Sequence, residues 1–247
     1  IATKVLEDNG LAKDGKLVKS FGEKGSISSS TIVAPMIYNQ SLVSVSIRRA
    51  VEVFDINSGI KKFQISVHGE QRNFSGGAPW GGAALDKTKE IVYIVTGNPL
   101  PSLYGVNRPG ENKNTSSIVA FDLKKRNILW AFQDVNHDLW DYDIASPPII
   151  HNLEIEGKLF ETVIALTKTG NVILLDRNNG KPIFDLRYRK APISDVPNEI
   201  TAKYQLDLEK PEKFSKVDFD KNDFDKLPNE KIKKINKIIK NSKTGWF

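Results

Sequence analysis

Val53-Phe54-Asp55-Ile56-Asn57-Ser58-Gly59 is a stretch the chain uses three times. It returns as Ala120-Phe121-Asp122-Leu123-Lys124-Lys125-Arg126 and as Leu174-Leu175-Asp176-Arg177-Asn178-Asn179-Gly180. In each copy a strand-like apolar pair runs into an aspartate that can cap its own turn. In two of the three, a glycine four residues later can take the positive φ that hairpins often require. Eight residues after each aspartate stands a bulky ring, Phe63, Trp130 or Phe184, placed to dock on a neighbouring sheet.

Around each copy lie short runs rich in Val, Ile and Phe, separated by turn residues. Thr31 to Ile37, Leu42 to Ile47, Ala50 to Phe54 and Lys61 to Ile65 form one group of four, punctuated by Ser41 and Arg48-Arg49. Trp80 to Leu85, Ile91 to Val95, Ser117 to Phe121 and Ile128 to Phe132 form a second. Ile144 to Ile150, Thr162 to Leu166, Asn171 to Leu175 and Pro182 to Leu186 form a third. A repeated four-stranded meander predicts an all-β chain, a β-propeller of four-stranded antiparallel blades. A β-sandwich would account for the alternation but not for three recurrences of turn and ring. The expected blades span residues 30–66, 78–133 and 143–190, and 191–247 read as an insert ending in a helix. Three blades cannot close a ring of about 4–8, so the chain reads as an internal piece of a longer protein, with residues 1–30 the tail of a preceding blade. Asp14-Gly15-Lys16 is another turn there.

Composition bounds the rest. With 39% hydrophobic and 27% charged residues the chain is neither disordered nor collagen-like. It has no cysteine, which excludes disulfides, thiolate metal sites and cysteine nucleophiles. No apolar run approaches the ~18 residues of a spanning helix. Part of the net charge of +6 sits on Lys231, Lys233, Lys234, Lys237, Lys240 and Lys243, interleaved with Ile232, Ile235, Ile238 and Ile239 at helical spacing. That pattern predicts an amphipathic helix opened by Asn229-Glu230 after Pro228 and a solvated lysine face rather than a nucleic-acid surface.

Four stretches could carry chemistry. His137-Asp138-Leu139-Trp140-Asp141-Tyr142-Asp143 links the second group of strands to the third, where a propeller returns its chain toward the central channel. Thr167-Lys168-Thr169-Gly170 is a tight hairpin. Gly97-Asn98-Pro99 offers a carbonyl that could serve a hard cation. Gly76-Gly77-Ala78-Pro79-Trp80-Gly81-Gly82 sets one indole among small residues, as a stacked planar cofactor would want. Each also has a plain reading as a capped turn, an exposed lysine or a packed tryptophan.

Together, Trp80-Gly81-Gly82 with Leu85-Asp86, Thr96-Gly97-Asn98-Pro99, Asn107-Arg108-Pro109-Gly110-Glu111-Asn112, the His137–Asp143 run, Thr167-Lys168-Thr169-Gly170 and Leu175-Asp176-Arg177 resemble in order and spacing the pyrroloquinoline quinone (PQQ)-dependent dehydrogenases. These are eight-bladed propellers that oxidise alcohols and sugars. The resemblance implies Asp141 as catalytic base, Lys168 at the quinone carbonyl oxygens, Trp80 as the cofactor floor, and Asn98 with Asp141 as ligands of an active-site Ca²⁺ or Mg²⁺. It also implies an alcohol or aldose as substrate, a cytochrome c or membrane quinone as electron acceptor, and the periplasm as location. Ser44 occupies the place where methanol-oxidising members carry a metal-ligating glutamate, and the usual turn aspartate of the first, partial blade is Leu11. A cofactor-free propeller acting as an assembly scaffold is the alternative. A sugar-binding propeller would need exposed channel aromatics, for which Tyr104 alone stands. The 247 residues by themselves are expected to be inactive, since earlier blades supply other cofactor contacts in this family.

Overall fold

The computed structural model describes residues 18–31, 33–48, 50–67, 74–215 and 221–240. The turn at Asp14-Gly15-Lys16, Leu11, Arg49 and Lys243 lie outside them. The described residues are mostly β, in antiparallel sheets, with a short 3₁₀ helix (Lys221–Phe224) and one α-helix at their C-terminal end.

The first sheet is a meander of β1 (Met36–Tyr38), β2 (Ser41–Ser46), β3 (Ala50–Asp55) and β4 (Lys61–Ser66) in sequence order. A two-residue strand, β5 (Ser75–Gly76), precedes the second sheet, which contains β6 (Ala83–Asp86) and β7 (Ile91–Val95). The chain then leaves through β8 (Pro99–Leu100), which pairs with β5, and returns as β9 (Ser117–Asp122) and β10 (Asn127–Gln133). The order is β10-β9-β7-β6, so this is again a meander, with residues 96–116 as a long excursion between β7 and β9. The third sheet has three strands, β11 (Ile149–Ile155), β12 (Lys158–Leu166) and β13 (Val172–Asp176). A short hairpin of β14 (Tyr188–Lys190) and β15 (Tyr204–Leu206) follows. The helix α1 spans Asn229–Lys240.

Two expected strand placements in the third sheet are corrected. Its first strand begins at Ile149 rather than Ile144, because Pro147-Pro148 has no N–H to give a ladder. Pro182 to Leu186 is not a fourth ladder strand: Leu175 bridges Pro182 alone and Ile183 N–H reaches Leu174 O at 3.0 Å. Pro182 again supplies no donor.

The repeated turns form as the sequence predicts. Asp55 Oδ1 accepts from the N–H groups of Asn57 and Ser58 at 3.0 and 2.9 Å, Asp122 Oδ1 from Lys125 N–H at 2.8 Å, and Asp176 Oδ1 from Asn178 N–H at 2.8 Å. The second copy has Arg126 where the others have glycine, and Arg126 takes the same left-handed conformation at φ 60°. Both docking rings that lie on strands follow a break in register, between Val53/Phe54 and their partners in one sheet and Ile128/Trp130 in the other. Such a bulge re-aims a side chain. Phe63 meets the Arg126 guanidinium at 4.6 Å, and Trp130 lies so close to Gly180 that a Cβ there would come within 2.6 Å of the ring. Each ring thus docks on the turn of the following sheet. Phe184, in a run that is not a strand, lines a crevice with Phe132, Ile173 and Leu208.

The second sheet is buried on both faces. Ile91, Tyr93 and Val95 with Ile118 and Ala120 pack toward Val163, Ile173 and Leu175 of the third sheet. Val92, Ile94, Val119 and Phe121 pack toward Val43, Val45, Val51 and Val53 of the first. That is why β7 is a continuous apolar run rather than an alternating one. The helix matches its pattern: no residue is buried, Lys231, Lys233, Lys234, Lys237 and Lys240 are exposed, and Ile232, Ile235 and Ile239 are half-covered. Among the described residues no helix is long and apolar enough to cross a membrane.

Candidate functional site

The site lies at one end of the seam between the second and third sheets, where three connections meet. Trp80 stands in the bend before β6. Its N–H and that of Gly97 both donate to Ala78 O, at 2.9 and 2.8 Å, which ties the bend to the turn after β7. Gly97 abuts the indole: a Cβ there would sit 3.0 Å from Cδ1 and Nε1 of Trp80. Asn98 follows directly, its carbonyl oxygen accepting from Gly77 N–H at 2.8 Å. The Asn98 side-chain Nδ2 is buried and has no protein partner.

The loop 134–148 delivers two aspartates. Asp141 is half-exposed, with 54% of its side chain accessible, and its backbone is left-handed at φ 64°. Asp143 is buried at 1%. Its Oδ2 accepts from Trp80 Nε1–H at 2.7 Å and its Oδ1 faces Lys168 Nζ at 2.5 Å. Lys168 projects from the turn between β12 and β13 and also donates to Asp141, at 3.1 Å to Oδ2 and 3.0 Å to the backbone oxygen. The same ammonium stands 5.7 Å from the centre of the Trp80 indole. Burial pulls the lysine pKa down, but hydrogen bonds and charge from Asp143 and Asp141 more than offset it, so it ends above its ordinary value. Lys168 is therefore a cation at neutral pH.

The structure thus brings Trp80, Asp141 and Lys168 into one cluster and sets Asn98 beside it through Gly97. Sequence reasoning missed Asp143, the group that touches both the indole and the ammonium, although it lies two residues past Asp141 in the quoted run. It also took the glycines around Trp80 as room for a ligand. Instead Gly81 admits the chain's own backbone, since a Cβ would meet Ile144 O at 2.5 Å, and Gly82 packs on Pro147. The indole nevertheless remains 40% exposed.

A second layer fixes the loop. Arg108, fully buried, donates to the backbone oxygens of Pro101, Ser102 and Asp138 and to Asn112 Oδ1, at 2.6 to 3.0 Å. The Asp138 carboxylate accepts from Ser116 Oγ–H at 3.0 Å and Trp140 N–H at 2.9 Å. His137 Nδ1 pairs with Gly110 O at 2.7 Å, while burial holds its pKa below the usual value. The Asn107–Asn112 motif and the head of the His137–Asp143 run are thus structural partners of each other.

The donor set for a cation is partial. Among the described residues no three His, Asp or Glu side chains gather around one point. Ser44 is buried and bonds Ser29 at 3.3 Å on the face of the first sheet turned away from the second. The Asn98 side-chain oxygen and the Asp141 carboxylate are hard oxygen donors, short of the six to eight oxygens Ca²⁺ takes.

Comparison with known proteins follows the same lines. Residues 53–246 match the family described as "PQQ: Glucose/ethanol/alcohol dehydrogenase, beta-propeller domain". The quinoprotein glucose dehydrogenase of Escherichia coli is 28% identical over 219 residues, covering 75% of this chain and 27% of the relative. The glycerol dehydrogenase large subunit of Gluconobacter oxydans is 38% identical over 128 residues, 50% of this chain and 17% of the relative. The chain therefore spans about a quarter or less of these curated relatives. The crystal structure of quinohemoprotein alcohol dehydrogenase from Comamonas testosteroni has a similar fold, with a TM-score of 0.54 at 23% identity over 62% of this chain and 28% of that one. A buried aspartate joining an indole to a lysine, on seam-packed antiparallel sheets, accordingly sits in a chain that belongs to the PQQ-dependent glucose/ethanol/alcohol dehydrogenase β-propeller family.

Proposed function

We propose that this chain is part of a quinoprotein dehydrogenase that oxidises an alcohol or aldose, with PQQ seated against Trp80. The observation that carries the reading is that Trp80, Asp141 and Lys168 meet in one cluster, with the ammonium 3.1 Å from the Asp141 carboxylate and 5.7 Å from the indole centre. When bound, PQQ supplies the electrophilic carbon that accepts hydride; the chain positions and polarises it. The open face of Trp80 is the flat surface such a ring system stacks on.

Two carboxylates divide the remaining work. Asp141 is half-exposed and can reach a substrate hydroxyl, whose proton it takes as general base. Asp143 is buried and keeps the Lys168 ammonium in place once Asp141 turns to substrate. The Lys168 ammonium would there stabilise negative charge developing on a bound cofactor, a preorganised electrostatic contribution. Asn98 and Asp141 would hold a Ca²⁺ or Mg²⁺ through oxygen, and the cation would add positive charge to the site. A cytochrome c or a membrane quinone would take the electrons, in the periplasm. Burying Asp143 costs free energy that its hydrogen bond from Trp80 and its ion pair with Lys168 offset.

The test uses the full-length protein that carries this chain. With PQQ and Ca²⁺ or Mg²⁺, dye reduction is followed over a panel of alcohols and sugars. Asp141→Asn is expected to lower turnover by ~10²–10⁴-fold, the usual worth of a general base. Equal rates for variant and parent would remove Asp141 from the reaction.

A further inference from the structure

Resting on the reading of Lys168 above, we propose that Asp134 is its positioning residue: from the end of the second sheet it reaches across the seam and holds the lysine's turn through Thr169 and Asn171.

The turn closes without it. Thr167 N–H donates to Asn171 O at 3.1 Å and Gly170 N–H to Thr167 O at 2.9 Å, which satisfies the hairpin backbone. The side chains do something further. Thr167, Thr169 and Asn171 are all buried and turned inward, while Lys168 alone in that stretch reaches out to Asp141 and Asp143. Thr169 Oγ1 donates to Asp134 Oδ2 at 3.3 Å and Asn171 Nδ2 to Asp134 Oδ1 at 3.3 Å, while Thr167 and Thr169 join hydroxyls at 2.6 Å. Asp134 is itself held by its N–H, which donates to Ser116 O at 2.9 Å. One carboxylate thus grips the residue after Lys168 and the residue three after it. A swing of the turn that carried Nζ away from Asp141 and Asp143 would break both bonds.

Burying a carboxyl group is costly unless it is hydrogen-bonded, and here Thr169 and Asn171 supply those bonds. Burial pushes Asp134 up to about 7, against the lowering effect of Asn171, Thr167 and Thr169. Asp138 is the charged neighbour that raises it further. On the far side of the turn the charges are Lys168, Asp141 and Asp143.

The experiment compares Asp134→Leu, Asp134→Asn and Lys168→Ala in the full-length protein. Without cofactor, the acetylation rate of each lysine is followed by peptide mass spectrometry across pH 6 to 8.5. Losing the grip should free the turn that carries Lys168, so Asp134→Leu is expected to expose its ammonium and speed its acetylation several-fold, with other lysines unchanged. Asp134→Asn keeps the shape and one acceptor; the inflection near pH 7 in the Lys168 rate is expected to vanish. With PQQ, Asp134→Leu should lower kcat more than cofactor affinity. An unchanged Lys168 rate in a folded Asp134→Leu overturns the proposal. If Asp134→Leu fails to fold, a wild-type inflection retained in Asp134→Asn overturns it instead. Failure of the functional reading shows separately, as PQQ binding and dye reduction that survive Lys168→Ala.

Discussion

The two seams flanking the central sheet share strands β7 and β9 and differ in kind. Toward the first sheet the contact is aliphatic and aromatic, Val43, Val45, Val51 and Val53 against Val92, Ile94, Val119 and Phe121. Its polar crossings include Tyr38 to Glu90 and Asn114 Nδ2 to Val67 O. Toward the third sheet the middle is equally apolar, but ionisable groups stand at both rims. At one rim are Lys168, Asp143 and Asp134. At the other, Arg177 pairs with Asp86 at 3.0 Å and Glu161 at 3.1 Å, and its carbonyl oxygen accepts from Tyr93 Oη–H and Trp130 Nε1–H. An apolar seam fixes spacing, because dispersion and burial are non-directional. A seam with hydrogen-bonded rims also fixes register along the strands, which a site assembled from two sheets requires.

The largest effect that could break this contrast is at the rim away from the site. Arg177→Met leaves the buried Asp86 carboxylate without its guanidinium and is expected to cost about 3–5 kcal/mol in urea unfolding. A loss below about 1 kcal/mol would mean that the rim contributes no register. Next come matched truncations in the apolar middles. Ile94→Val and Ile118→Val remove one methylene from opposite faces and should each cost about 0.5–1.5 kcal/mol. The double variant should equal their sum within about 0.5 kcal/mol; strong coupling would show that the seams are not separate.

The smallest effect is a pair of opposite pH slopes. The N–H of Ser58, foremost, holds the Asp55 carboxyl down at about 2. Its folded value lies below the unfolded one, so the stability it gives is present above about pH 4 and lost as pH falls through 2. Asp134, raised to about 7, works the other way: the folded state holds the extra proton, and stability falls as pH rises from about 4 through 7. Melting temperature against pH should therefore lose its acid limb in Asp55→Asn and its neutral decline in Asp134→Asn.

The seam contrast also marks what was legible in the sequence. The aspartate turns and the β7 run could be read because capping and two-sided burial leave local traces: Asp55 and Asp176 precede glycines, and Ile91 to Val95 contains no charged residue. Even Arg126 in a glycine's place did not hide its turn. The failures at Ile144–Pro148 and Pro182 came from weighing apolar content above the missing donors of proline. In the site, Trp80, Asp141 and Lys168 could be named because a familiar spacing pointed to them. Asp143 and Asp134 could not, since what distinguishes them is a partner 25 or more positions away across a seam, and one buried aspartate looks in sequence like any other.

The left-handed backbone at residue 141 restricts which amino acids can stand there. An L-residue at φ 64° suffers a clash that asparagine, aspartate and glycine bear best. Of that three-letter alphabet only aspartate can hold and release a proton. Glutamate, the nearest chemical relative, would carry the acid one carbon further out and strain the chain as well. At this position the backbone narrows the choice and the base role proposed for Asp141 completes it, so a library randomised at codon 141 and selected for turnover is expected to return aspartate.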